Sequence, residues 1–250
     1  MKKDKIDLVK SRITYETFKD MASDKELSKY EKIGFPNDYR EKYEESIFNN
    51  INTILRLDRE EIIFFDIGCG CSELPKLIIK NAIKNRQNLY MIDSEEMLVH
   101  LPNKDNMVKI SGKFPDEINL PEYQNKVDAI VLYSVLQHIV LDMNPFYFID
   151  EAVKLLNDGG RLLIGDIPNI SKRNRFFASN TGLKFHQNFT KTNTSPEYEF
   201  NTLIEDKIDD SLVFAILSRY RNAGFEAYLL EQPINLPMRN RREDILIVKN

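Results

Sequence analysis

The chain reads as an α/β protein with a doubly wound, mostly parallel sheet behind an N-terminal helical cap, and three observations predict it. First, the stretch Glu61–Ser72 runs from the apolar Ile62, Ile63, Phe64 and Phe65 straight into Asp66-Ile67-Gly68-Cys69-Gly70. A continuous run of β-branched and aromatic residues suits a strand buried on both faces of a parallel sheet. Second, the same kind of run recurs at Asn88–Ile92, Met107–Ile110, Val127–Tyr133 and Arg161–Gly165, with helical patterns in several of the gaps. Third, Phe225–Leu230 and Asp244–Val248 add two more strands joined by a proline-containing turn region, which makes seven.

The turn after the first strand narrows the ligand. A dinucleotide fingerprint needs Gly-x-Gly-x-x-Gly, and its third glycine falls at position 73, where this chain has Glu73, whose carboxylate repels a pyrophosphate. An NAD-dependent oxidoreductase is disfavoured on that ground. An acid directly before the turn, Asp66, suits a ligand carrying an ammonium and a sulfonium, while Gly68 and Gly70 let the backbone approach it without a Cβ in the way. S-adenosyl-L-methionine fits that description.

The motifs DIGCG, LYMIDSEEML and LLNDGGRLLIGDIP, in this order, resemble the class I S-adenosylmethionine-dependent methyltransferases over roughly residues 60 to 250. The resemblance implies a Rossmann-like seven-stranded sheet with an antiparallel final strand, and methyl transfer from S-adenosylmethionine. It divides the chain into a cap, 1–60, and a cofactor-binding methyltransferase domain, 61–250, with a lid insertion at 167–206.

Residues 1–60 are charged and helical, with Ile6, Val9, Ile13, Phe18 and Met21 at loose helical intervals. Ile33-Gly34-Phe35-Pro36 breaks that pattern, and Asn37-Asp38 opens a second helix, Tyr39 to Leu55. Tyr30, Tyr39, Arg40 and Tyr43 either line the entrance or are ordinary residues of an amphipathic helix. After the glycine turn, Ser72 and Glu73 start a helix through Leu74, Leu77, Ile78 and Ile79. The second strand ends at Asp93, 23 residues beyond Gly70, where an acid accepts hydrogen bonds from ribose hydroxyls. Ser94 to Leu101 forms a short helix whose Met97 lies against adenine or in the core.

Beyond the third strand, Ser111-Gly112-Lys113-Phe114-Pro115 carries Lys113 where many relatives have an acid or amide for the adenine amino group. An ammonium accepts no hydrogen bond, so adenine recognition falls to backbone groups near Gly112 and Phe114. The fourth strand closes in Tyr133 and Ser134, beside the transferred methyl at the switch in strand order, and His138 follows. His138 is a general base, or a histidine satisfied within its turn. Phe146 to Leu156 is a helix ended by Asn157-Asp158-Gly159-Gly160. Asp166 at the end of the fifth strand polarises a hydroxyl or holds an ammonium, or caps the turn before Pro168.

Residues 167–206 make an unusually long connection rich in phenylalanine, which reads as a lid over the acceptor pocket. It contributes His186 as a further catalytic candidate and the cations Lys172, Arg173 and Arg175. Arg239, Arg241 and Arg242 form a second basic group, and both groups are either anion sites or solvated charge. If they converge, the acceptor is an anionic, sugar-related metabolite such as a surface-glycan precursor. Ile208 to Asn222 is the last helix, ended by Gly224.

Thirty-five basic against thirty-nine acidic residues leave a formal charge of -4, so nothing global favours nucleic acid or an anionic membrane. The two cysteines, Cys69 and Cys71, sit in one turn, too close for an ordinary disulfide and too few for a zinc site; no metal is expected. No apolar stretch is long enough to span a bilayer and the N-terminus lacks a signal-peptide pattern, which leads to a cytoplasmic expectation. The expected protein is an enzyme, monomer or homodimer, that methylates an oxygen or nitrogen of a small-molecule acceptor. The competing reading is a subunit or sensor that binds the adenosyl cofactor without catalysis.

Overall fold

The computed structural model describes residues 13–202 and 204–250; the expected apolar positions Ile6 and Val9 lie outside them. The first helix, α1 (Tyr15–Ser23), is opened by Thr14, whose side chain accepts from Thr17 N. A 3₁₀ turn at Glu31–Ile33 and the short α2 (Asn37–Arg40) lead through Glu41–Tyr43 into α3 (Glu44–Leu55). The single helix expected over Tyr39–Leu55 is therefore broken. At the break Arg40 turns inward, its Nε 3.0 Å from Glu44 Oε1 and its Nη1 3.2 Å from Ser134 Oγ.

Strand β1 (Ile63–Ile67) is followed by α4 (Leu74–Lys84), β2 (Asn88–Asp93), α5 (Glu95–Leu98), β3 (Met107–Ser111) and β4 (Val127–Tyr133). Then come α6 (Leu136–Asp142), α7 (Pro145–Leu155) and β5 (Leu156–Pro168), which begins before the expected Arg161 and runs past Gly165. The connection expected as a lid folds as α8 (Ile170–Phe177) and α9 (Asn180–Thr190), none of whose residues lines the crevice of the candidate site; α10 (Asp210–Asn222), β6 (Glu226–Leu230) and β7 (Arg242–Val248) complete the fold. The seven strands order β3-β2-β1-β4-β5-β7-β6, with β1 to β5 parallel and β7 antiparallel to both of its neighbours. This is the doubly wound sheet with an antiparallel final strand that the sequence predicts.

Period-2 alternation decides which layer each strand residue joins. Phe64, Leu89, Met91, Ala129 and Val131 point to one face, where they meet Ile78, Ile79 and Ala82 of α4 and Ile47, Ile51 and Leu55 of α3. Phe65, Ile130, Leu132, Leu162 and Ile164 point to the other, against Phe148 and Ile149 of α7 and Val213 and Ile216 of α10. Both faces of β1 are thus dry: Phe64 and Phe65 are each 0% exposed. Helix α3 is a layer of the sheet core, because its apolar stripe has no other surface to bury against, and only the residues before it lie over the crevice.

The candidate active site

Chain reversal between β1 and α4 needs two residues with positive φ, Gly68 (+75°) and Gly70 (+64°). Space demands glycine as well. A Cβ at Gly68 would stand 2.7 Å from Val135 Cγ2, and one at Gly70 would stand 2.8 Å from Ile33 Cγ2. The Gly68 amide donates to Ile92 O at 2.8 Å, which ties the turn to the end of β2. The Asp93 carboxylate fixes the rest of the loop, accepting from Gly70 N and Ser94 N at 2.8 Å each.

Above this turn lies a crevice outside the carboxyl ends of β1, β2 and β4, where β2 and β4 flank β1 on opposite sides and the order of connection reverses. Of the residues assigned from sequence, Asp66, Gly68, Cys69, Gly70, Asp93 and Met97 line it. So do Gly112, Lys113, Phe114, Tyr133, Ser134 and His138. Ser94 does not line it; its side chain is buried and caps α5 by accepting from Met97 N.

Two buried carboxylates dominate the crevice. Burial pushes Asp66 up to about 8, helped by the like charge of Asp93 and opposed by Arg40. Among the described residues no hydrogen bond reaches its carboxyl group, which faces the open space. Asp93 rises to about 6 through burial, opposed by the amides of Gly70 and Ser94. An unpaired buried acid is costly unless a ligand supplies the missing charge. The donor set fits S-adenosylmethionine: Asp66 would hold its ammonium, Arg40 its carboxylate, and Asp93, with one lone pair left on each oxygen, the ribose hydroxyls. Met97, Gly112 and Phe114 would meet the adenine.

The cap reaches this crevice through contacts no local pattern announces. Tyr15 N donates to Asp142 Oδ2 at 2.9 Å, and Phe18 packs edge-on against His138 with centroids 4.7 Å apart. Tyr15, Phe18, Ile33 and Phe35 all line the crevice, as does Arg40 among the four cap residues considered for the entrance. Tyr30 is buried outside it. Tyr39 stacks on Phe35 with centroids 6.1 Å apart, and Tyr43 packs against the α3 side of the core.

His138 Nδ1 lies 3.0 Å from Ile13 O, so in the neutral ring this nitrogen carries the proton and Nε2 the lone pair. Burial drives its pKa down to about 4. A histidine so shifted is uncharged at neutral pH and a weak base. His186 does not line the crevice; it stands on α9 with Nε2 3.3 Å from Thr194 Oγ1 and its ring 6.3 Å from that of Phe177.

At the carboxyl edge, Ser134 after β4 and Asp166 on β5 both adopt left-handed backbone, φ 60° and 59°. Non-glycine residues adopt that conformation infrequently. Ser134 Oγ donates to Asp166 Oδ2 at 2.6 Å, Asp166 N donates to Asp244 Oδ1 at 2.8 Å, and Arg242 Nη1 donates to Asp166 O at 3.0 Å. Arg40 bonds Ser134 and both line the cofactor crevice, whereas Asp166 stands behind Ser134 and does not line it.

Residues 65–164 match the family model described as a methyltransferase domain. The plantazolicin methyltransferase BpumL, solved with a triazolic desmethylPZN analog and SAH, superposes with a TM-score of 0.58 at 14% identity over 94% of this chain and 99% of its own. The methyltransferase domain of bacterial CtHen1-CN gives 0.51 at 12% identity, over 81% and 97%. No curated protein sequence matches. Sheet order, glycine turn and family match together define a class I methyltransferase fold. Over residues 65–164 the chain carries a methyltransferase domain, and S-adenosyl-L-methionine is its cofactor. Among the described residues no helix is long and apolar enough to cross a membrane.

Proposed function

We propose that this enzyme methylates a hydroxyl or amine of a small acceptor presented at the Ser134–Asp166 edge. Bound S-adenosylmethionine supplies an electrophilic methyl group; the chain's residues align the acceptor, exclude water and receive a proton. The observation that carries this reading is the pair of left-handed residues, hydrogen-bonded at 2.6 Å, at the ends of adjacent strands. Asp166 accepts from Ser134 through Oδ2, while Oδ1 lies 3.7 Å from Arg242 Nε and keeps capacity to accept from an acceptor O–H or N–H. The three catalytic assignments from sequence then separate. Asp166 orients and deprotonates the acceptor. His138, neutral and held by the cap, walls the crevice. His186 belongs to the lid.

Asp166→Asn keeps the shape and removes the charge. Turnover should fall by about 10²-fold or more, the usual worth of a positioned base, with S-adenosylhomocysteine affinity unchanged by calorimetry. The assay is mass-spectrometric detection of methyl transfer over a panel of hydroxyl and amine acceptors. Near-normal turnover in the variant would remove Asp166 from the chemistry.

A further inference from the structure

The two basic groups, Lys172, Arg173 and Arg175 on α8 and Arg239, Arg241 and Arg242 leading into β7, are sorted by their partners. Arg175 pairs with Asp210 at 2.5 Å, Arg239 with Glu231 at 2.5 Å, Lys172 with Glu243 at 3.8 Å and Arg242 with Asp166 at 3.7 Å. Arg173 and Arg241 have no carboxylate partner among the described residues. They are also the two that share a surface: Arg173 lies over the Phe177 ring at 4.9 Å and Arg241 over the same ring at 5.8 Å. The polar contacts of Arg173 are to Asn174 Oδ1 at 3.2 Å and Glu197 O at 3.3 Å, neither of which neutralises it. Arg241 is partly buried beside two like charges, Arg242 and Arg173, and burial with those charges lowers its pKa. Two guanidinium groups brought to one aromatic ring without an acid repel each other, an arrangement that an anion between them would relieve.

We propose that Arg173 and Arg241, seated on Phe177, form an oxyanion subsite that holds a phosphate or carboxylate group of the acceptor. The proposal rests on the methyltransferase reading and specifies the chemical class of its substrate. The subsite adjoins the reaction edge. Arg242, next in the chain to Arg241, contacts Asp166, and the field of Arg241 and Arg242 reaches the Tyr39 phenol, next in the chain to Arg40. Forked guanidinium donors suit such anions because each can offer two parallel N–H bonds. The aromatic face keeps the guanidinium planes fixed and partly dehydrated.

The test needs no acceptor in hand. Protein saturated with S-adenosylhomocysteine is titrated with inorganic phosphate and, separately, with acetate, while the arginine Nε–Hε signals are followed by NMR. The signals of Arg173 and Arg241 should shift saturably with at least one anion, whereas those of Arg175 and Arg239 should not. Arg173→Ala should weaken the Arg241 response about tenfold or more, the loss of one charge-assisted contact. Uniform shifts of all exposed arginines, or none at Arg173 and Arg241, would overturn the proposal. Whether phosphate or acetate is preferred assigns the anion. Calorimetry with S-adenosylhomocysteine runs beside it: failure to bind would defeat the methyltransferase reading, whereas binding without an anion response defeats the subsite alone.

Discussion

At the glycine-turn end of the site, Asp66 and Asp93 are buried acids whose pKa values are driven up by lost solvation. On α8 and just before β7, Arg173 and Arg241 are guanidinium groups that no acid neutralises among the described residues. The two ends treat their charge differently. Asp93 is restrained by two backbone amides and Asp66 is enclosed by the sheet, so the crevice is built before a ligand arrives. The arginines are held by ring faces and carbonyls on two short helices and a loop, so their geometry depends on how the lid packs. Preorganised charge in a buried crevice favours tight cofactor binding; charge held only through side-chain packing leaves room for selection among acceptors.

The largest effect should come from closing the preformed end. Gly68→Val puts a β-branched side chain into φ +75° with a Cβ 2.7 Å from Val135 Cγ2. S-adenosylhomocysteine binding should fall by more than about 100-fold, because both strain and close approach oppose it. Calorimetry checks this, and circular dichroism confirms that the sheet persists. Retained affinity would mean the turn does not carry the cofactor.

Asp93→Ala should be milder, weakening the same ligand by about 1 to 3 kcal/mol, the cost of leaving buried partners unpaired. Part of that loss is positional, since the Gly70 and Ser94 amides lose their acceptor too. An unchanged dissociation constant would move ribose recognition elsewhere.

The smallest effect is the most diagnostic of the contrast. With its pKa raised to about 8, Asp66 holds a proton in the ligand-free fold that the unfolded chain releases near 4. Its contribution to stability is fully present below pH ~4 and is lost as pH rises through about 8. Asp66→Asn, neutral throughout, should therefore raise the ligand-free melting temperature at pH 8 and leave it nearly unchanged at pH 4. It should also weaken S-adenosylhomocysteine by removing the ammonium partner. Melting curves that differ from the parent by the same amount at both pH values would show that Asp66 is not a buried, proton-retaining acid.

How far the sequence reached follows the same divide. The apolar run Ile62–Phe65, the glycines after it and the acid at Asp93 lie within about thirty residues of one another, so strand, turn and ribose position are legible as local pattern. The cap contacts are not. Tyr15 meets Asp142 across 127 residues, and Ile33 covers Gly70, so helical spacing alone cannot tell Phe18 over a cofactor crevice from Phe18 in a core. Arg40 is half legible: the sequence offers it as an entrance residue or an ordinary helix residue, and its inward turn depends on the break between α2 and α3. The six cations of the two basic groups look alike in sequence. Which are neutralised depends on Asp166, Asp210, Glu231 and Glu243, delivered by four separate segments.

The position of β7 between β5 and β6 has a consequence for how the protein is made. Strand β6 leaves the ribosome before the only strand it pairs with, and β5 shows an open hydrogen-bonding edge from residue 168 until residue 242 onwards has emerged. At ordinary translation speeds of about 5 to 20 residues per second, that exposure lasts several seconds. An interior strand with an apolar centre, Leu162–Ile164, then stands as a template for another chain. Nascent copies of this protein should therefore need a chaperone most during synthesis of the lid and α10, after the cofactor crevice is already complete.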